Sequence, residues 1–125
     1  MENIRRNEPI NYITKMMLEL GMPVHQRGYH YLREAICMSM EDMELVGSVT
    51  KLLYPEIAKR YRTENEKVER AIRSVIEVGW ERGNESLYEE IFGYSKEHGT
   101  ARPTNSEFIA TIADQVRLEL DPEYV

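Results

Sequence analysis

At 125 residues, with 42% hydrophobic and 30% charged side chains, the sequence has the composition of one soluble globular domain with its own core. No run of about 18 apolar residues exists, which excludes a membrane-spanning helix, and the N-terminus MENIRRNEP lacks the apolar core of a secretion signal. The single cysteine, Cys37, excludes an internal disulfide and predicts a reducing, cytoplasmic setting.

The net charge of −6 is unevenly distributed along the chain. Residues 1–50 carry five basic and seven acidic side chains, residues 51–82 carry eight and six, and residues 83–125 carry three and nine. Phosphate contacts dominate the affinity of proteins for nucleic acid. Only the middle segment is therefore suited to face DNA, and the acidic C-terminal segment is expected to lie away from it.

Apolar residues at helical spacing predict the elements before the middle segment. A first helix over residues 12–20 ends at Gly21. A second covers residues 29–40, and its inward face carries Tyr29, Leu32, Ile36 and Met40. Residues 42–53 are helically spaced too, but an internal glycine weakens a helix there. We predict a helix that bends or restarts at Pro55.

The middle segment, residues 54–82, has the pattern of a short helix, a tight turn and a long second helix. Pro55 suits the first turn of a helix because its missing N–H costs nothing there. Thr63 and Glu66 have the spacing of a capping box at the start of the second helix. Gly83 is expected to end that helix in the left-handed conformation. The predicted inward residues are Val68, Ala71, Ile72, Val75 and Ile76.

The outward face of this second helix is basic. It carries Lys67, Arg70, Arg73 and Ser74. In a helix-turn-helix the second helix enters the DNA major groove, and arginine is well shaped for bidentate contact to guanine. The pattern favours DNA binding, and its alternative is a solvated charged face on an ordinary helical hairpin.

A short helix is predicted over residues 86–92 and is closed by Gly93. Its spacing places Leu87, Ile91 and Phe92 inward and leaves Tyr88, Glu89 and Glu90 exposed. The glycine, serine and proline residues in 94–103 indicate a loop.

A second capping box, formed by Thr104 and Glu107, starts a last helix over residues 105–120 that Asp121-Pro122 stops. Its apolar stripe consists of Phe108, Ile109, Ile112, Ala113, Val116 and Leu120. No segment alternates with period two, so the sequence predicts an all-α fold of about six helices in a single domain.

Motifs for catalysis or metal binding are absent from the sequence. It contains no P-loop, dinucleotide-binding glycine fingerprint or nucleophile elbow. His25, His30 and Cys37 match none of the common zinc spacings. We expect a non-enzymatic domain without a metal or cofactor.

Six blocks of sequence, in order, carry a family resemblance. They are GYHYLREAI (28–36), GSVTKLLYPEIAK (47–59), VERAIR (68–73), WERGN (80–84), FGY (92–94) and PTNSEFIA (103–110). Together they resemble the C-terminal effector domain of the stage-zero sporulation protein A family, the master response regulator of endospore formation. The resemblance implies an all-helical effector domain without a winged helix. It also implies binding to DNA boxes resembling TGTCGAA, contact with RNA polymerase sigma factor, and a possible second copy on tandem boxes.

The VERAIR match implies that Glu69, Arg70 and Arg73 face the groove. Both arginines are then candidates for guanine, and Glu69 either accepts from a cytosine amino group or pairs with Arg73 one turn further on. Lys67 stands where the family usually carries arginine, so its contact is expected to be weaker or limited to phosphate. The remaining DNA-binding candidates precede the second helix: Ser48, Thr50, Lys51 and Arg62. For Ser48 and Thr50 the alternative role is helix capping.

Three features depart from the family pattern. The match begins near residue 21, so we expect no receiver domain in this chain, which is either an excised effector domain or a stand-alone version. Glu64 and Glu66 lie at the DNA-facing end of the second helix and would repel phosphate. The region matching the sigma-contacting surface is unusually acidic; its candidate residues are Leu87, Tyr88, Glu89, Glu90 and Tyr94. The acidic surface and the change at Lys67 keep a second hypothesis open, a protein-interaction module or antagonist with weakened DNA binding.

Overall fold

A computed structural model of the protein describes residues 2–93 and 102–120. Over these residues it contains six α-helices and no β-strand. The helices are α1 (Glu2–Glu19), α2 (Arg27–Glu41), α3 (Tyr54–Arg60), α4 (Asn65–Arg82), α5 (Glu85–Phe92) and α6 (Asn105–Leu120). The predicted all-α fold of about six helices is confirmed.

Helix α2 lies at the centre of the core and packs against both α4 and α6. The apolar stripes predicted from the sequence meet there, and their fully buried members include Tyr29, Leu32, Ile36, Ile72, Ile76, Phe108 and Ile112. Gly28 lets α2 begin close to α4, because a Cβ atom at this position would lie 2.0 Å from the Ala71 carbonyl oxygen. One face of α4 is thereby fixed against α2, and its opposite face is left to solvent.

The segment between α2 and α3 remains helical but changes its hydrogen-bonding pattern. A 3₁₀ helix covers Met43–Ser48, and a π-helical turn covers Val49–Leu53 before α3 begins. Val49 and Leu53 are buried. Pro55 lies in the first turn of α3, as predicted. In place of the expected bend or restart, the chain forms the 3₁₀ helix and then the π-helical turn. This arrangement keeps the buried side chains directed at the core.

Two helix boundaries, the end of α1 and the start of α6, agree with what local spacing predicted. Gly21 follows α1 with a φ of +79°. At the start of α6 the capping box forms in both directions: the Thr104 amide donates to Glu107 Oε1 at 3.1 Å, and the Glu107 amide donates to Thr104 Oγ1 at 3.1 Å. Helix α1 begins at Glu2 rather than at the predicted residue 12, because residues 2–11 carry no continuous apolar stripe from which a helix could be predicted. The predicted stop at Asp121-Pro122 lies outside the described residues.

The prediction that Gly83 ends α4 in the left-handed conformation is wrong. Gly83 has φ −77° and ψ 173°, which is extended backbone open to any residue. It is a glycine site because of crowding: a Cβ atom would lie 2.4 Å from the Leu20 carbonyl oxygen and 2.7 Å from the Gly79 carbonyl oxygen. The end of α4 therefore packs directly against the backbone that follows α1.

Candidate nucleic-acid interface

Helices α3 and α4 are joined by a four-residue turn that begins at Tyr61. Arg62 adopts a φ of +53°, in the left-handed region. The Thr63 amide donates to the Ala58 carbonyl at 2.8 Å, and the Arg62 amide donates to the Lys59 carbonyl at 3.4 Å. These two bonds make a Schellman ending of α3, with arginine where glycine is usual. The turn redirects the chain so that α4 leaves α3 as the second helix of a helix-turn-helix.

The predicted capping box between Thr63 and Glu66 does not form. Glu64 occupies the N-cap position of α4, and its side chain makes no capping hydrogen bond. The reason is the Schellman turn, which commits the Thr63 backbone to ending α3 and moves the start of α4 one residue further on. The sequence spacing fits a capping box, but the backbone at Thr63 belongs to the preceding helix.

The two faces of α4 divide as the sequence predicted. Val68, Ile72, Val75 and Ile76 are fully buried, and Ala71 is half-buried. The basic face consists of Lys67, Arg70, Arg73 and Ser74, and all four residues are exposed. Exposed cationic side chains on the outward face of this helix are free to approach the edge of a nucleic acid.

One turn of the basic face contains an ion pair. Arg73 Nη1 donates to Glu69 Oε1 at 3.0 Å, and the two side chains are 46% and 36% exposed. The structure therefore shows the intrahelical pairing with Arg73 that was the alternative role for Glu69. Among the described residues, the structure shows no side-chain hydrogen bond or ion pair for Arg70 or Lys67. The pair orients the Arg73 guanidinium on the face it shares with Arg70.

A groove of about 470 Å³ runs beside this face. It lies between α4, the π-helical turn and the start of α6; its lining includes Thr50, Tyr54, Glu69, Arg73, Arg102 and Thr104. Burial raises the pKa of Tyr54, and the hydrogen bond from Asn105 opposes that rise. The Tyr54 hydroxyl therefore stays protonated at neutral pH.

Only one of the DNA-binding candidates that precede α4 lines the groove. Thr50 is exposed and lines the groove together with Arg73. Lys51 is exposed and Ser48 is half-buried, and neither contributes to the groove. Arg62 is exposed in the turn that precedes α4. The structure brings Thr50 together with the α4 residues that line the groove, and Ser48, Lys51 and Arg62 do not line it.

Two groove residues were missed by the sequence analysis. Arg102 was assigned to a loop, and it pairs with Glu77 on α4 through a 2.7 Å contact to Oε1. Asn105 contacts both Tyr54 and the backbone of α4. The capping box at Thr104 signalled that a helix starts here. The spacing of that capping box gave no information on which helix the start of α6 would contact.

The candidate partner surface on α5 requires a correction. Tyr88, expected to be exposed, is 1% exposed, and its hydroxyl donates to the Leu20 carbonyl at 2.9 Å. Its ring meets Trp80 edge-on at 5.2 Å between centroids. A tyrosine can be buried when its hydroxyl has a hydrogen-bond acceptor. The spacing of apolar residues gave no sign that the Leu20 carbonyl would be that acceptor. Tyr88 has no exposed surface to offer a partner.

The other α5 candidates retain accessible surface. Glu89 and Glu90 are exposed and Leu87 is half-buried. Tyr94 lies outside the described residues. The surface that remains is small and acidic.

The described histidine and cysteine side chains, His25, His30 and Cys37, show no shared site. Within the part of the chain that the structure describes, no three His, Cys, Asp or Glu side chains are grouped as metal ligands would be. His30 Nε2 lies 3.1 Å from the Val24 carbonyl oxygen, and Cys37 is buried in α2. Over the same residues, no helix combines the length and apolar character needed to cross a bilayer.

A comparison with protein families identifies the chain. The model of the family described as "Sporulation initiation factor Spo0A C terminal" matches residues 13–116, which is well over half of the 125 residues. The match includes all of α2 to α5 and most of α6. The chain therefore belongs to the family of Spo0A C-terminal domains, the DNA-binding effector domains of a sporulation regulator.

Proposed function

We propose that this domain is a sequence-specific transcription regulator that binds boxes resembling TGTCGAA by inserting α4 into the major groove. The observation that carries the proposal is the exposed basic face of α4, Lys67, Arg70, Arg73 and Ser74, on the second helix of a helix-turn-helix. A major groove about 12 Å wide admits one helix. The face opposite the core is the part of α4 that would enter it.

The roles on this face follow from the chemistry of the side chains. Arg70 and Arg73 each present a planar fork that matches the N7 and O6 acceptors of guanine. Glu69 holds the Arg73 guanidinium, and its carboxylate is assigned to accept from a cytosine amino group. Lys67 and Ser74 are assigned to phosphate and flanking contacts, since lysine is a point charge without a fork.

Contacts outside α4 are assigned to the phosphate backbone. Arg62 precedes α4, and Thr50 lines the same groove of the protein surface as Arg73. Ser48 ends the 3₁₀ helix, and Lys51 lies in the π-helical turn directly after Thr50. Phosphate contacts fix the register of a protein on DNA and carry no sequence information of their own.

The acidic surface of α5 is assigned to RNA polymerase sigma factor. Glu89 and Glu90 are exposed, with the half-buried Leu87 beside them. A sigma region that binds DNA is itself basic, so opposite charge would favour encounter. Two domains on tandem boxes would place this surface at a fixed spacing from the polymerase.

A gel-shift titration of the domain against a TGTCGAA duplex and a scrambled duplex, at two salt concentrations, tests the proposal. Tighter binding to the box at both concentrations, with affinity falling as salt rises, is expected. Equal binding to both duplexes would contradict sequence-specific binding. It would favour the antagonist hypothesis, which the exposed Glu64 and Glu66 at the start of α4 support, because their charges repel phosphate.

A further inference from the structure

The side-chain amide of Asn105 connects three elements around the basic face of α4. Asn105 Nδ2 donates to the Tyr54 hydroxyl at 3.0 Å and to the Glu69 main-chain carbonyl at 3.1 Å. An amide nitrogen carries two hydrogens, so these two bonds use both donors. One side chain at the start of α6 thus joins α6 to the start of α3 and to the middle of the recognition face.

The acceptor on α4 is a backbone atom inside the helix. The Glu69 carbonyl also accepts the amide of Arg73 in the regular i to i+4 pattern of an α-helix. A carbonyl oxygen has two lone pairs, so it can accept the second bond from Asn105. Asn105 therefore bonds to α4 at the turn from which Glu69, Arg70 and Arg73 project.

Asn105 is itself held in place on both sides. Thr104 and Glu107 close the reciprocal capping box around it, which fixes the first turn of α6. Tyr54 is 5% exposed, so its hydroxyl is anchored by a ring packed in the core. Neither end of the contact depends on a mobile surface side chain.

Base readout is sensitive to how a helix is rotated about its axis. A binding constellation has to be held within roughly 0.5 Å and 10–20° of its productive geometry. Apolar packing holds the inner face of α4 but is non-directional. A hydrogen bond to a backbone carbonyl has a preferred direction and distance.

We propose that Asn105 is a positioning residue for DNA sequence recognition, fixing the rotation of α4 at Glu69 so that Arg70 and Arg73 meet the base edges in register. This inference rests on the proposed function. Asn105 acts through α4 and contacts no base. Its removal should therefore weaken the discrimination between sequences and leave sequence-independent affinity unchanged.

The test is Asn105→Ala, assayed by gel shift against the TGTCGAA duplex and a scrambled duplex at two salt concentrations. The ratio of box to scrambled affinity is expected to fall about 3- to 10-fold, the range for loss of one net hydrogen bond. Affinity for the scrambled duplex and the salt dependence should stay at the parent's values, since no phosphate contact is lost. The ratio does not depend on the fraction of active protein, so a stability defect alone would leave it unchanged.

Asn84→Ala is the matched control. Asn84 is also an asparagine at a helix start, and its Oδ1 accepts from the Leu87 amide at 3.2 Å, away from the basic face. It should lose comparable stability and keep the parent's ratio. If Asn105→Ala does not fold by circular dichroism, Asn105→Ser carries the same test, because its shorter side chain cannot span the distance to Glu69.

The outcomes separate this inference from the function on which it rests. A parent domain without preference for the box would overturn both. A parent that prefers the box, with an Asn105→Ala ratio equal to the parent's, would overturn the positioning role alone. An equal loss of ratio in Asn84→Ala would also overturn it, since the loss would then not depend on the contact between Asn105 and α4.

Discussion

Glu69 Oε1 and Arg73 Nη1 lie 3.0 Å apart on one turn of α4, so a carboxylate engages one of the two arginines proposed to contact guanine. The pair is exposed, and such a pair contributes only about 0.3–0.5 kcal/mol to stability. Its importance lies in orientation and charge. The carboxylate holds the guanidinium ready and also places a negative charge on the face that would meet phosphate.

Glu69→Ala should change the free energy of unfolding by no more than about 0.5 kcal/mol. Affinity for scrambled DNA should rise, because a repulsive charge is removed. The ratio of box to scrambled affinity should fall, because Arg73 is no longer oriented and a cytosine amino group loses its acceptor. Gel-shift titration checks both, with Asp114→Ala, an exposed carboxylate further along α6, as the control. Unchanged affinity for scrambled DNA would place Glu69 outside the interface.

Arg62→Gly should move stability and DNA affinity in opposite directions. A non-glycine residue in the left-handed region costs roughly 1 kcal/mol. Glycine avoids this cost, but it loses more backbone entropy on folding, and that loss cancels part of the gain. We expect the free energy of unfolding to rise by about 0.5 kcal/mol. Affinity for box and scrambled DNA should fall equally, with a salt slope shallower by about 1, if one phosphate contact is lost.

Arg62→Ala is the control for that variant. It removes the charge while keeping a Cβ atom at φ +53°, so it should lose the same affinity without the gain in stability. Urea unfolding and gel shift on the same preparations give both quantities. Parent-like DNA affinity in both variants would remove Arg62 from the phosphate contacts.

Tyr88→Phe should destabilise the fold by about 1–3 kcal/mol, because the buried Leu20 carbonyl loses its donor. DNA affinity should not change, since Tyr88 has no exposed surface. Urea unfolding measures the loss, with Tyr61→Phe, at a 44% exposed tyrosine, as the control. Equal stability of Tyr88→Phe and the parent would contradict the bond to Leu20.

The same variant should alter unfolding at alkaline pH. Burial raises the pKa of Tyr88 above the ordinary tyrosine value of about 10, so ionisation is disfavoured in the fold. The stability it contributes is complete below pH about 10 and is lost as pH rises further, toward the pKa in the fold. Burial raises the pKa of Tyr54 and Tyr61 in the same direction. Tyr88→Phe should therefore lose less stability than the parent as pH rises above about 10.

Local spacing along the sequence was enough to predict much of this structure. The inward stripe of α4, with Val68 and Ile72, depends on helical period alone, and the Thr104–Glu107 capping box on a separation of three residues. Both are confirmed. The exposure of Arg70 and Arg73 follows from the same period.

The features that the sequence could not predict are contacts between distant residues. Tyr88 bonds to a carbonyl 68 positions away, and Asn105 to a hydroxyl 51 positions away. Neither separation leaves a periodic signal. Gly83 was misassigned for the same reason, since its crowding arises from Leu20 rather than from its own backbone angles. Spacing alone identifies the outward face of α4, and only the tertiary structure identifies what positions it.

Reversing the charge of the α5 surface should separate DNA binding from activation. In the double variant Glu89→Lys, Glu90→Lys, DNA affinity should be retained or slightly increased, since two repulsive charges become attractive. Stimulation of transcription from a promoter that carries the box should be lost, because the opposite charge offered to sigma factor is gone. In vitro transcription with purified polymerase checks this, with Asp114→Lys, Glu119→Lys on α6 as the matched control. Unchanged stimulation would exclude Glu89 and Glu90 as the activating surface.

The proposed function requires that the outward face of α4 reads base sequence. Its most direct measurement is a gel-shift titration of Arg70→Ala and Arg73→Ala against the TGTCGAA duplex and the scrambled duplex under identical salt. Each variant should lose about 1–3 kcal/mol of binding to the box and much less to the scrambled duplex. Equal losses on both duplexes in both variants would mean that these arginines contact only phosphate, and would contradict sequence reading by α4.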